Sequence, residues 1–347
     1  MDHIKIVKRA FEITRFYRML WIFGILLALT SAGGGGGGPV NYRVPSGGGS
    51  SWMQPLPEPG DFDFPGDLDG FFPDISSQLI STMIALGIGM ACLILLLAVV
   101  STIVRYVSET ALIRLVDSHE SSGGKVGFRQ GWRLGWSRAA LKIFLIDLLV
   151  GIITAVVFLL LFGFALAPLL VWLIDNTALR VVGTAASIGM GMLVFFLAIL
   201  VGIIVALLIH IIRRACILEE LGVFEAIRRG IDLVRRRIVD VFLMGVILFA
   251  VSLGFVIVMI PVFFILALAG VILAGLPAML VGALIGIFME GATPWILAAI
   301  IGLPILMLII AVPTTFLRGL LQTFNSSTWT LTYRELLALE AESAGGE

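Results

Sequence analysis

The residues best spaced to do chemistry lie in DFDFPGDLDG. There Asp61, Asp63, Gly66, Asp67 and Asp69 fall on positions one, three, six, seven and nine of a twelve-residue calcium loop. Such a loop also needs oxygen ligands at positions five and twelve, which are held by Pro65 and Phe72. The stretch therefore reads as a solvated acidic loop with aromatic anchors, and no metal or cofactor is expected. A second set, Asp147 and His210, lies inside apolar runs, where an ionisable group is costly and is a functional candidate for that reason. Asp147 follows Lys142 by five residues and His210 precedes Arg213 by three, so pairing or snorkelling near a membrane boundary is the expected role. Together with Glu219 and Glu220 they are the candidates for a membrane-embedded lipid enzyme. Histidines 3, 119 and 210 are scattered, and no HExxH, Walker motif or nucleophile set occurs. The glycine run 33–38 lacks the Lys-Ser/Thr that grips a nucleotide. The expectation is a protein that is not an enzyme.

The third set is the arginines of FEAIRRGIDLVRRRIVDVF: Arg228, Arg229, Arg235, Arg236 and Arg237. At 100° per residue Phe224, Ile227, Ile231, Val234 and Ile238 form one stripe, with Arg228, Arg229, Arg235 and Arg236 on the other face and Arg237 at its edge. Glu225 stands three and four residues before Arg228 and Arg229, and Asp232 likewise before Arg235 and Arg236, so pairing within the helix is predicted. Residues 213–240 carry seven basic and five acidic residues, a net of +2, which is weak for a nucleic-acid surface. A helix lying in the membrane surface, with lipid headgroups as partners of these arginines, is the expected outcome.

Six apolar runs would position these residues: 17–32, 78–104, 143–174, 183–212, 241–269 and 294–317, against the roughly 20 residues that a bilayer core requires, so that 143–174 is long enough to need tilt or a bend at Pro168. The chain is 59% hydrophobic with mean hydropathy +1.10 and only 13% charged, against about 25% in a soluble domain, so it reads as an integral membrane protein. Basic and acidic residues balance at 23 each, which argues against nucleic acid as a partner. Cys92 and Cys216 make no metal-spaced pattern.

Lysine and arginine cluster in 1–18 (five), 105–142 (seven) and 213–240 (seven), and thin out in 33–77 (one), 175–182 (one) and 270–293 (none). By the positive-inside rule both termini are cytoplasmic, and the Gly/Pro/acid-rich loop 33–77 is outside. To keep Arg318 and Arg334 inside, VILAGLPAMLVGALIGIF should be a re-entrant hairpin broken at Gly275 and Pro277. Pro168, Pro261 and Pro304 should kink or break their runs. Gly87, Gly89, Gly183, Gly189, Gly191 and the GxxxG pair Gly282 and Gly286 should allow close helix packing within one bundle.

KRAFEITRFYRML, RQGWRLGWSRAAL and RRGIDLVRRRIVD superpose without gaps: Lys8, Arg129 and Arg228, then Ala10, Gly131 and Gly230, then Ile13, Leu134 and Leu233. The first run also matches a secretory signal, but a signal would not share this pattern. The predicted fold is an all-α membrane protein of three like-oriented helical hairpins, each entered through an amphipathic cytoplasmic helix. Their bounds are 1–104, 105–212 and 213–325, with a cytoplasmic tail 326–347.

ILEELGVFEAIRRGIDLVRRRIVDVFLMGVILF and the closing STWTLTYREL resemble the membrane domains found with glycerophosphoryl diester phosphodiesterases and related bacterial and archaeal membrane proteins, over residues 78–337. The resemblance implies an all-helical module in a prokaryotic plasma membrane. It does not bring phosphodiesterase activity, because nothing here matches the metal-binding barrel of those enzymes. The leading expectation is a non-catalytic module that interacts with lipids or with another membrane or cytoplasmic protein. A transporter of lipids or small solutes built on parallel repeats is the alternative.

Overall fold

The computed structural model describes residues 1–31, 77–122, 127–174, 176–287, 291 and 293–345. The described residues form helices α1 (His3–Phe16), α2 (Met19–Ser31), α3 (Ser77–Ser122), α4 (Phe128–Gly135), α5 (Arg138–Leu166), α6 (Thr177–Leu218), α7 (Val223–Arg236), α8 (Ile238–Gly286) and α9 (Thr293–Gly345). A 3-10 segment, Ala167–Leu173, follows α5. By contacts the chain divides into one unit of Met1–Gly36 with Ile103–Glu347 and a second of Gly37–Thr102. In the second unit, the side chains described from Ile84 to Val100 of α3 are exposed.

Five helices are long and apolar enough to cross a membrane, and the bent pair α1 and α2 makes a sixth if counted as one span. In the first unit, three short helices each lead through a brief break into an apolar helix. At the first break the chain turns by 98°, and the Trp21 indole donates to the Thr14 carbonyl at 2.5 Å across the bend. The second break is Trp136–Ser137, and the third is the single residue Arg237.

The short helices dock through small residues. Ala10 is fully buried on α1, which packs on α9. A Cβ on Gly131 of α4 would stand 3.1 Å from Leu115 and Phe23, and one on Gly230 of α7 would stand 2.5 Å from Ile212 of α6. Ile6 and Ile13 on α1, and Ala226 and Leu233 on α7, complete the buried faces.

The long helices use the same device. Gly24 of α2 crosses α9 so closely that a Cβ would meet the Gly319 carbonyl at 2.3 Å. Along α8, Gly270, Ala274, Ala278 and Gly282 recur every fourth residue against Leu306, Gly302 and Ala298 of α9. In lipid, where apolar burial does not drive helices together, close backbone approach supplies dispersion contacts instead.

Three sequence expectations need correction. The stretch 270–286 is not a re-entrant hairpin: α8 continues unbroken through Pro261, Gly275 and Pro277. The small-residue seam with α9 runs through this stretch, and that packing outweighs the roughly 3 kcal/mol an interior proline costs. At 1.5 Å per residue α8 is roughly 70 Å long, more than twice a hydrocarbon core of about 30 Å. Nor is 326–347 a tail: α9 runs on to Gly345, and Ser327, Thr328, Thr330, Thr332 and Tyr333 are fully buried in the core. The threonine hydroxyls favour this burial, because Thr328, Thr330 and Thr332 each donate to the carbonyl four residues back, whereas Ser327 Oγ is buried without a partner. Finally, Pro304 lies inside α9 without interrupting it, whereas a break does occur at Pro168, within the 3-10 segment.

Candidate functional site

Asp147 on α5 and Arg213 on α6 meet in a fork: Arg213 Nε donates to Asp147 Oδ1 at 2.9 Å and Nη2 to Oδ2 at 2.5 Å. The third arm, Nη1, donates to Glu109 Oε1 on α3 at 2.5 Å, and the Tyr106 hydroxyl donates to Asp147 Oδ2 at 3.1 Å. All three charged side chains are at most 14% exposed. Beside them Arg214, 2% exposed, is held by carbonyls rather than acids: Nη1 bonds His210 O at 2.7 Å and Nη2 bonds Ser326 O at 3.1 Å. Two guanidinium groups and two carboxylates balance, so the cluster is neutral as a whole. Both of its acids are bonded to Arg213. Among the described residues no group of three or more His, Cys, Asp or Glu is placed to hold a metal.

His210 stands apart from this fork. Its ring stacks on Trp329 of α9 at 5.1 Å and 13°, and Nδ1 is buried without a protein partner. Glu219 accepts from the Tyr333 hydroxyl and from Arg229. Glu220 faces Arg114 at 3.7 Å. Asp147, His210, Glu219 and Glu220 therefore belong to separate partner sets and do not converge on one reaction centre.

The arginines of α7 divide. Arg229 forks onto Glu340 of α9 at 2.6 and 3.0 Å and also reaches Glu219; the bond to Glu340, above all, holds its pKa above the ordinary arginine range. Arg236 approaches Glu340 at 3.8 Å with its side chain 72% exposed. Arg228 and Arg235 are exposed, and Arg237 is half-buried in the break before α8. The predicted pairing within α7 is not what forms. Glu225 instead accepts from the Gly222 amide at 3.1 Å, closing the helix amino terminus, and no ion pair joins Asp232 to Arg235 or Arg236 among the described residues. The apolar stripe is also divided: α7 buries Ala226, Gly230 and Leu233 on α6, while Phe224, Ile231 and Ile238 remain exposed.

The exposed face of α7 therefore reads Phe224, Arg228, Ile231, Arg235, within one sector of about 60° at 100° per residue, so Arg228 and Arg235 share the face of Phe224 and Ile231 instead of lying opposite them as expected. The exposed face of α1 reads Ile4, Lys8, Phe11, Arg15, with the same spacing and the same alternation of apolar and basic residues. Further ion pairs tie the short helices and α9 to their neighbours, Arg9 to Glu120 at 2.8 Å and Arg334 to Asp117 at 2.8 Å, and the His3 ring hydrogen-bonds the Asp240 carbonyl at 3.2 Å.

Sequence reasoning singled out Asp147 and His210 but missed Glu109, Tyr106, Arg213, Arg214 and the Ser/Thr run of α9. One available signal was HIIRRACIL, where apolar residues continue beyond the arginine pair and so carry it inside the helix packing. Asp61, Asp63, Asp67 and Asp69 lie outside the described residues. No curated protein and no solved structure matches the chain. A family model does match, over residues 2–334, and the chain belongs to that family, DUF7544, a family of unknown function.

Proposed function

We propose that the protein is a non-catalytic lipid-interacting membrane module, built as three copies of one unit. In each unit a basic amphipathic helix lies along the cytoplasmic surface and turns the chain into the bilayer. The observation that carries this reading is the matched face of α1 and α7. Both leave apolar side chains exposed and place one turn away basic residues that make no ion pair among the described residues, as an interfacial helix requires. Docking through Ala10, Gly131 and Gly230 at the same register supports the repeat. The likeness to the phosphodiesterase-associated membrane domains fits this reading as a likeness of the membrane part alone. On the charge distribution, both termini face the cytoplasm and loop 33–77 faces outward.

The test is lipid retention. Protein in nanodiscs of phosphatidylcholine with an anionic lipid should release a shell enriched in the anionic lipid when analysed by native mass spectrometry. At about 1 kcal/mol per basic residue near an anionic surface, R228Q/R235Q should lower the anionic-to-zwitterionic ratio by about thirtyfold at 1.4 kcal/mol per decade. A wild-type shell of bulk composition would reject the function. The orientation is tested separately by a thiol label at position 50 in a chain whose two native cysteines are alanine: protection from an impermeant reagent in intact cells would reject it.

A further inference from the structure

At the start of α5 a cavity of about 260 Å³ opens between α3, α5 and the end of α6, lined by Arg114, Ser137, Arg138, Lys142, Cys216 and Glu220. Three of these are cations and one is an acid. The acid, Glu220, has its side chain 83% exposed and stands 3.7 Å from Arg114, so the excess charge is positive. The basic groups are held in different ways. Arg114 Nη1 donates to the Leu134 carbonyl at 3.3 Å. Lys142 Nζ donates to the carbonyls of Glu220 at 3.2 Å and Leu221 at 3.0 Å, which leaves one of its three protons free. Glu220 adopts the left-handed backbone conformation, φ 55°, at this turn. Arg138 is exposed and makes no ion pair among the described residues.

Ser137 is the residue that caps α5, yet its hydroxyl makes no capping bond; the oxygen is buried and meets no partner. The first amides of a helix have no partner within it and attract anions. Arg138, Leu141, Leu145, Leu148 and Ile152 share one face of α5, and all are exposed, so the basic end of the cavity continues into an uncovered apolar stripe.

We infer that this cavity binds a phosphate group, carried by a membrane phospholipid whose acyl chains lie along the Leu141 stripe. The inference rests on the lipid-interacting reading above. A volume below the roughly 300–1,000 Å³ of small-molecule pockets suits a headgroup phosphate better than a nucleotide. Arg138 and the α5 amides would face the phosphate oxygens, the Ser137 hydroxyl would donate to one of them, and Lys142 and Arg114 would supply charge while keeping their structural bonds.

The experiment uses the full chain stripped in detergent and titrated separately with phosphatidic acid, phosphatidylcholine and inorganic phosphate, read by native mass spectrometry and by melting temperature. One phosphatidic acid per chain is expected, with at least tenfold weaker retention in S137A/R138Q, near-normal retention in R138K, and no change in the melting temperature of the lipid-free protein. R228Q/R235Q should leave this single lipid bound, which separates failure of the cavity from failure of the α7 surface. Inorganic phosphate binding lost in S137A/R138Q, with no lipid retained, would overturn the lipid as the source. Equal phosphatidic acid retention by wild type and S137A/R138Q, or none by wild type, would overturn the site.

Discussion

Replacing Arg213 with methionine should be among the most damaging single changes in this protein, and the reason can be worked from its three arms. The guanidinium serves Asp147 through Nε and Nη2 and Glu109 through Nη1. Without it, two carboxylates that are 14% and 9% exposed lose their bonded cation. Removing one partner of a buried pair in this way costs about 3–5 kcal/mol. Asp147→Asn should be milder, because Arg213 stays bonded to Glu109; the loss is a charge-assisted hydrogen bond, about 1.5–3 kcal/mol. Replacing the whole fork, E109M/D147L/R213M, removes its three charges at once but leaves Arg214 on its two carbonyls without the balancing acids, so it should recover to within about 2 kcal/mol of wild type, the remainder being Arg214 and the Tyr106 hydroxyl left without its acceptor. At about 2 °C per kcal/mol for a chain of this size, R213M should melt roughly 6–10 °C below wild type and the triple variant within about 4 °C of it. The assay is tryptophan fluorescence on heating in detergent micelles at fixed pH, with size exclusion to confirm a single species. A triple variant that melts no higher than R213M would refute the reasoning, since the damage would then come from lost packing rather than unpaired charge.

Glycine substitutions should divide according to the space around them. Gly24→Ala, whose Cβ would meet the Gly319 carbonyl at 2.3 Å, should cost about 1–3 kcal/mol or more, while Gly151→Ala, with nothing within 4 Å, should be neutral or gain up to about 1 kcal/mol from helix propensity, both read by the same melt. Deleting residues 326–347 should abolish a monodisperse protein on size exclusion, whereas deleting 342–347 should leave its elution unchanged, because Tyr333 and Leu336 are core and Glu340 bonds Arg229. R229Q and E340Q should each cost about 1 kcal/mol, discounted for partial exposure, and the double variant little more than either. Because the Arg229 pKa is raised, its contribution is complete below the unfolded arginine value and is lost only above it. Arg229 should therefore add no slope to a melting-temperature profile from about pH 6 to 10.

Hydropathy located the spanning runs well because length and apolar content are what a bilayer selects: α3, α6, α8 and α9 each contain the run expected of them, α2 lies within its run, and the run at 143–174 starts in α5 and ends beyond it in the 3-10 segment. It failed where a helix continues without continuing to be apolar. The run ending at Leu317 becomes α9 through Thr323, Thr328 and Thr330, whose hydroxyls are satisfied on their own helix and so cost little to bury. It failed again at Gly275 and Pro277, where local breaking signals were real but a partner helix outweighed them. For the polar residues, spacing could show that Asp147 lies near a basic boundary. It could not show that the cation is Arg213, sixty-six positions away, or that Glu109 comes in from a third helix.

The deeper reason is that burial here runs opposite to a soluble core. The most apolar windows of the spanning helices are at most 11% buried by protein, while Arg214, Ser108, Thr110, Ser327 and Thr332 are almost wholly enclosed. Apolar side chains can face lipid and need no protein partner, so they carry little information about which helix lies beside which. Neighbours are chosen by what lipid cannot satisfy: a guanidinium that needs two carboxylates, hydroxyls that need carbonyls, and glycines that let backbones touch. Those residues are few, scattered and low in hydropathy, and a window average discards them. On the function proposed above, the same logic would place the exposed faces of α1 and α7 at a membrane surface. A basic residue one turn from an uncovered phenylalanine or isoleucine is out of place both in a soluble core and at the bilayer centre, and it is stable where water, phosphate and acyl chain meet.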